Sequence, residues 1–258
     1  MSEDLRLIAV PALSDNYVWV LADASGAAIA VDPGEAAPVR SALARERLRL
    51  TAVLLTHHHP DHIAGAAELA EGGRVPIHAP RDDRIALECE RVGDGDRVSI
   101  ACPSLRFDVI AVPGHTRSHI AYHGHGIVFC GDTLFSVGCG RIFEGTPAEM
   151  LASLDRLAAL PGETLVCCGH EYTLANCAFA KTIEPDNAAL ARRSIEARKR
   201  REHGEPTLPV PLAEERACNP FLRVDAPTVA AALPDAPDRV ARFAELRRRK
   251  DEFRAPVP

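Results

Sequence analysis

Residues 57–62 read His-His-His-Pro-Asp-His, four histidines and an aspartate in six consecutive positions. Imidazole nitrogens and carboxylate oxygens are the ordinary protein ligands of zinc and other divalent first-row metals. A solvated run of histidines has no reason to end in Asp-His directly behind an apolar strand, so the stretch predicts a metal site. In an extended chain alternate side chains share a side, which sends His57 and His59 one way and His58 the other. His58 is therefore left out of the ligand set. Asp61 and His62 come after the turn at Pro60 and can face a second metal.

Three further donors stand in the same setting. His115 follows "DVIAVPG", Asp132 follows "GIVFCG" and His170 follows "TLVCCG". Side chains at the same end of neighbouring strands converge on one edge of a sheet, where α/β folds place their sites. Taken alone, Asp132 in "CGDT" would be a turn or cap residue. His119, His123 and His125 read as surface histidines or as neighbours of ligands. Together, His57, His59, Asp61, His62, His115, Asp132 and His170 exceed what one tetrahedral zinc needs and suit two metals sharing a carboxylate. "CGH" at 168–170 could suggest a Cys-His nucleophile, but Cys168 belongs to the apolar strand pattern.

Elements must bring these residues together. "LIAVPAL", "YVWVLAD", "AAIAVDPGE", "TAVLLT", "RVPIHAP", "LRFDVIAVPG", "GIVFCGD" and "TLVCCGH" read as strands, and a helix is expected over 36–48. "DHIAGAAELA" reads as a helix that Gly65 weakens. In "GTPAEMLASLDRLAAL" Thr146 can cap, Pro147 suits the first helical position and Glu149 completes a capping box. After Tyr172 the chain is charged and helical, joined by the proline-rich "GEPTLPVPL", with no strands expected. The parse is a mixed domain over 1–172 and a smaller helical domain over 173–258.

The composition of the 258 residues, with a net charge of −6, argues against generic nucleic-acid binding. No apolar run is long enough to span a bilayer. "MSEDLRLIAVPAL" has acidic residues where a secretion signal carries positive charge, so a cytoplasmic location is expected. The eight cysteines are scattered without a C-x-x-C pair and several lie in apolar runs, as reduced buried thiols would.

T-H-H-H-P-D-H at 56–62 resembles the T-H-x-H-x-D-H signature of the metallo-β-lactamase superfamily, and His115, Asp132 and His170 resemble its remaining ligand motifs in order and spacing. Within it, "GDTLFSVGCGRIFEGTPAEM", "CGHEYTLANCAFA", "EPDN", "GEPTLPVPLAEE", "NPF" and "RRRKDEF" resemble the glyoxalase II family along essentially the whole chain. The resemblance implies an α+β fold, a four-layer αββα sandwich with a smaller C-terminal all-helical domain. It implies two divalent metals, zinc first, with iron or manganese as alternatives. His57, His59 and His115 would hold one, Asp61, His62 and His170 the other, and Asp132 would bridge. The implied reaction is hydrolysis of S-D-lactoylglutathione to D-lactate and glutathione, in methylglyoxal detoxification, with Asp61 and Asp132 serving catalysis through a metal-held hydroxide. Two divalent ions against two carboxylates and a hydroxide leave about +1, which welcomes an anionic substrate.

The same resemblance points to Arg141, Phe143, Tyr172, Arg247 and Lys250 as contacts to the glutathione thioester. Basic residues near a helix C-terminus also suit the helix dipole and solvent, with no ligand needed. The chain departs from the family pattern at Phe143, where some members carry tyrosine, and at Ser118, where glycine is usual. The partner expected is this small molecule, with no nucleic acid and no membrane, on a monomer or else a dimer. Competing readings are a mono-iron persulfide dioxygenase using only His57, His59 and His115, a metallo-nuclease, and a non-catalytic metal store. The second set of ligands and the helical domain argue against the first, and the acidic balance argues against the second.

Overall fold

A computed structural model describes residues 5–254; the start of the segment read above for a secretion signal, residues 1–4, lies outside them, as do 255–258. The chain forms two compact units, Met1–Ala111 with Ser118–Gly131, and Val112–Arg117 with Asp132–Pro258.

In the first unit β1 (Leu5–Ala12), β2 (Asn16–Asp23) and β3 (Ala27–Val31) form an antiparallel meander. The helix α1 (Ala36–Glu46) then returns the chain so that β4 (Arg49–Leu54) lies parallel to β3. The short helices α2 (Pro60–Ile63) and α3 (Ala66–Leu69) precede β5 (Ile77–Pro80), which is parallel to β4 and to β6 (Glu90–Val92). β2 and β3 are buried almost throughout, which explains their continuous apolar reading. The single helix expected over "DHIAGAAELA" is two pieces. Gly65 gives its N–H to the Pro33 carbonyl at 2.8 Å, and a Cβ there would stand 2.5 Å from the Glu35 carbonyl carbon. Close approach of the 33–36 backbone breaks the helix at that residue.

β7 (Arg97–Ile100), β8 (Leu105–Ala111), β9 (Ile120–Gly124) and β10 (Ile127–Gly131) make a second antiparallel meander. β8 alternates, with Leu105, Phe107 and Val109 buried and Arg106 and Asp108 exposed, as a strand with one covered face must. Tyr122 of β9 is fully buried, and its hydroxyl donates to the carbonyls of Leu55 (2.9 Å) and His78 (3.2 Å), tying this meander to the first sheet. Burying a large side chain of this kind contributes about 1.5–3 kcal/mol.

The second unit contains the two-stranded hairpin β11 (Leu134–Phe135) and β12 (Gly138–Cys139), then α4 (Pro147–Ala158), β13 (Leu165–Cys168), α5 (Thr173–Ile183) and α6 (Ala188–Glu202). β14 (Val210–Pro211), α7 (Leu212–Cys218), a 3-10 turn at Pro220–Leu222, α8 (Pro227–Ala232) and α9 (Arg239–Glu252) complete it. The capping box of α4 forms as its residue types predict. The expectation of no strand after Tyr172 is corrected by β14, which pairs antiparallel with β13. It is two residues long and holds a proline, a residue that sheets tolerate at an edge. All eight cysteines are free thiols, six of them buried. Among the described residues no helix is long and apolar enough to cross a membrane.

Candidate metal centre

Four of the seven candidate donors sit in the first unit, in the loop that leaves β4 and in α2. Thr56 anchors the loop start, giving its N–H to Asp32 Oδ1 (2.7 Å) and its hydroxyl proton to Asp32 Oδ2 (2.6 Å). With that proton committed, Thr56 Oγ1 accepts from His57 Nδ1 at 3.1 Å, which leaves Nε2 as the lone-pair nitrogen of His57. That Nε2 lies 3.1 Å from His59 Nδ1. His62 turns its Nδ1 to Asp32 Oδ2 (3.1 Å) and its Nε2 toward Asp61 Oδ2 (3.4 Å). Asp61 accepts from Asn16 Nδ2 at 3.0 Å. Its backbone is pressed on Gly34, where a Cβ would meet the Asp61 carbonyl oxygen at 2.0 Å. His58 faces away to Asp82, at 3.5 Å.

Asp32, His57 and His62 also form a group whose donor atoms could surround a cation. The Asp32 carboxylate is already occupied by both Thr56 donors and the His62 N–H, so its role is to orient the two rings.

The second unit supplies the other three, His115, Asp132 and His170. The Asp132 carboxylate lies between two imidazoles, with Oδ2 at 3.4 Å from His115 Nε2 and 3.3 Å from His170 Nε2. His115 Nδ1 donates to the Arg141 carbonyl at 2.8 Å, which again makes Nε2 the lone-pair nitrogen. The His170 ring stacks on Tyr172, centroids 4.7 Å apart. Burial pushes the Cys168 thiol far above its ordinary range, so it is no nucleophile.

The expected substrate contacts are all in this unit. Arg141 Nε and Arg247 Nη2 share Asp251 Oδ1, at 3.2 and 2.9 Å. Arg247 is buried, its guanidinium over the Phe221 ring and donating to the Cys139 carbonyl at 2.7 Å. Lys250 is half-buried against Phe179 and Phe253, and burial, reinforced by the Arg247 charge, lowers its pKa to about 8. Phe143 is 60% exposed, its ring 5.2 Å from that of His115.

Several contributors escape a sequence reading. Asp32 sits in "VDPG", a turn signal, yet it is buried with φ of +52° and holds the loop of the candidate ligands. His119 is buried and stacks on His57 at 4.5 Å. Asp82 accepts from Ser118 and from Arg84, and the Arg84 hydrogen bond, more than Ser118, holds its carboxyl well below the usual range. The Ser118 departure therefore fills a hydrogen-bonding role. No local pattern announces Asp32 or Asp82, whereas His119 takes the second of the two settings expected of it, beside a candidate ligand.

The donor set fits divalent metals. In three of the histidines a distal acceptor takes Nδ1, so Nε2 lone pairs face carboxylate or other lone pairs, an arrangement that a cation satisfies.

Residues 13–170 match the metallo-β-lactamase superfamily, and residues 171–253 match the hydroxyacylglutathione hydrolase C-terminus. A hydroxyacylglutathione hydrolase of Xanthomonas axonopodis pv. citri is 56% identical, covering 97% of this chain and 100% of the relative. The ETHE1 protein of Myxococcus xanthus is similar in structure, with a TM-score of 0.64 at 28% identity over 94% of this chain and 89% of that one. The TTHA1623 protein, solved in a di-iron-bound form, has a TM-score of 0.54 at 28% identity over 64% of this chain and 91% of that one. The fold is that of the metallo-β-lactamases, α+β, with two six-stranded sheets, a two-stranded one and a helical C-terminal domain. With motifs, fold and near-full-length identity in agreement, the chain belongs to the hydroxyacylglutathione hydrolase family of the metallo-β-lactamase superfamily.

Proposed function

We propose that this chain hydrolyses S-2-hydroxyacylglutathione thioesters, S-D-lactoylglutathione first among them, to the hydroxy acid and glutathione, as a cytoplasmic step of methylglyoxal detoxification. One observation carries the reading beyond family membership. A single compact unit holds Asp132 between two imidazole nitrogens together with the cations Arg141, Arg247 and Lys250.

Under this reading His57, His59 and His115 hold one divalent metal and Asp61, His62 and His170 the second, with Asp132 shared. Zinc is the first choice, and iron or manganese are the alternatives. Bound there, the two ions supply activated water at neutral pH and Lewis acidity toward the thioester carbonyl. Asp32 keeps His57 and His62 in their lone-pair tautomers, and Asn16 holds Asp61. Arg141, Arg247 and Lys250 attract the carboxylates of glutathione, with Arg141 the most exposed of the three. Phe143 and Tyr172 offer aromatic surface to the same ligand. The leaving group is a thiolate, so no strong protein acid is required. Residues 1–172 act as the catalytic domain and 173–258 as the substrate-binding domain, a division supported by the two family matches.

Metal content and S-D-lactoylglutathione hydrolysis test the proposal in the wild type and in Asp132→Ala. About two metals per chain are expected in the wild type. The variant should lose at least ~100-fold in kcat, about 2.7 kcal/mol of transition-state stabilisation. Undiminished turnover in Asp132→Ala would overturn the shared-carboxylate centre. Oxygen uptake with glutathione persulfide and a single iron per chain would replace hydrolysis by the dioxygenase reading.

A further inference from the structure

The segment from Asp132 to Arg141 is a closed hairpin with one function at each end. β11 pairs with β12 through Leu134–Cys139 and Phe135–Gly138. Below that stem the Gly140 N–H donates to the Thr133 carbonyl at 3.1 Å. Gly140 itself lies flat on the Asp132 backbone, and a Cβ there would stand 1.8 Å from the Asp132 carbonyl oxygen. The N-terminal end carries the Asp132 carboxylate. The C-terminal end presents the Arg141 carbonyl that takes the His115 proton.

The far end of the hairpin is fixed from the helices. Glu215 of α7 is fully buried and accepts from Ser136 Oγ and from the Val137 N–H, both at 2.7 Å. Asn219 braces the same tip, donating to the carbonyls of Phe135 (3.2 Å) and Gly138 (2.9 Å) and to Glu215 Oε2 (3.0 Å). Asn176 donates to the Ser136 carbonyl at 3.0 Å, and Arg193 Nη2 to Ser136 Oγ at 3.0 Å. Val137 is held at φ +58°, a left-handed conformation that costs a β-branched residue energy and persists only where surrounding contacts over-determine it. A buried carboxylate, two amides and a guanidinium spent on a four-residue tip are more than a surface turn requires.

We infer that Glu215 is a positioning residue for the metal centre. By locking Ser136 and Val137 it sets the hairpin, and through it both the Asp132 carboxylate and the orientation of the His115 ring. The inference rests on the reading of Asp132 and His115 as metal ligands. It assigns the C-terminal helices a part in holding metal, in addition to binding substrate.

The test follows transfer of metal from the purified, metal-loaded protein to a chromogenic chelator, with kcat and KM measured in parallel. Glu215→Ala is expected to release metal at least about 10-fold faster than wild type, the usual scale for loss of a residue that orients ligands. It should lower kcat while leaving KM within about two-fold. Glu215→Gln keeps an acceptor for the Val137 N–H and should return release to near the wild-type rate. Phe243→Leu, a fully buried core change in α9 that takes no part in the hydrogen bonds to the hairpin, serves as the control for general destabilisation. Release from Glu215→Ala no faster than from Phe243→Leu overturns the inference, as does a Gln variant as leaky as the alanine one. Should Glu215→Ala not fold, Ser136→Ala removes one of the two links, and the same comparison with Phe243→Leu decides. Undiminished metal in Asp132→Ala would instead overturn the reading of the centre, whatever Glu215 does.

Discussion

Lys250 lies near the C-terminal end of α9 with its ammonium 5.7 Å from the Phe179 ring and 5.8 Å from that of Phe253. Burial first, then the Arg247 charge, bring its pKa to about 8, while Asp251 pulls it back up. The group facing it from the β11–β12 hairpin, the Cys139 thiol, is itself pushed up to about 11 and so stays neutral through this range. Lys250 is thus charged at neutral pH and loses that charge in mild alkali. KM for the glutathione thioester is therefore expected to rise as pH climbs through about 8. Lys250→Arg should flatten that limb, because a guanidinium does not titrate there, and Asp251→Asn should move it to lower pH. A KM–pH profile of the three proteins checks this, and an identical limb in Lys250→Arg would assign it elsewhere. At this scale the candidate ligands were legible because imidazole and carboxylate cluster within six residues and recur behind apolar strands. Asp32, Asn16, Asp82 and Glu215 were not, since each acts on a partner 24 or more residues away. Nothing local distinguishes such a residue from a turn or surface acid.

Among the elements, α4 supports the loop that carries His115. Ser153 Oγ donates to the Pro113 carbonyl at 2.6 Å, and Gly114, at φ +148°, packs where a Cβ would be 2.7 Å from Met150 Cβ. The helix begins at a capping box in which Thr146 Oγ1 accepts from the Glu149 N–H and Glu149 accepts from the Thr146 N–H. Thr146→Ala is expected to lower the unfolding free energy by about 1 kcal/mol, read as a lower urea midpoint at unchanged m-value. Its KM should stay at the wild-type value, because the cap touches no expected substrate contact. Gly114→Ala should do more, since both its φ and the space against Met150 exclude a methyl group; a lower metal content than Thr146→Ala is the expected difference. The capping box was readable because all its partners lie within four positions. β14 was not, because its two residues are a strand only through pairing with Leu165 and Val166, some 45 positions earlier. The break at Gly65 likewise depends on the 33–36 backbone lying against it.

For the molecule as a whole, composition marks a change at Tyr172 and the two family matches meet at 170–171, yet the second compact unit takes in Asp132 onward and 112–117. The reason is contact rather than composition: the hairpin tip bonds to α5, α6 and α7, which a sequence profile does not register. The proposed ligands run from position 57 to position 170, so only the folded chain can gather them. A metal held that way binds the folded state and not the unfolded one, and it stabilises folding by mass action. At free metal about 1,000-fold above Kd the gain is about 4 kcal/mol. For a chain of this size that corresponds to a Tm change of roughly 8–16 °C. Chelation of the purified protein should therefore lower Tm on that scale, and zinc, manganese or ferrous iron added back should restore it to differing extents that rank the metals. In Asp132→Ala the chelator-induced shift should shrink, because the carboxylate proposed to be shared by both ions is gone. A wild-type Tm indifferent to chelation, in protein that has demonstrably lost its metal, would mean that the metal does not favour the folded chain over the unfolded one, and the linkage between metal and fold would fail.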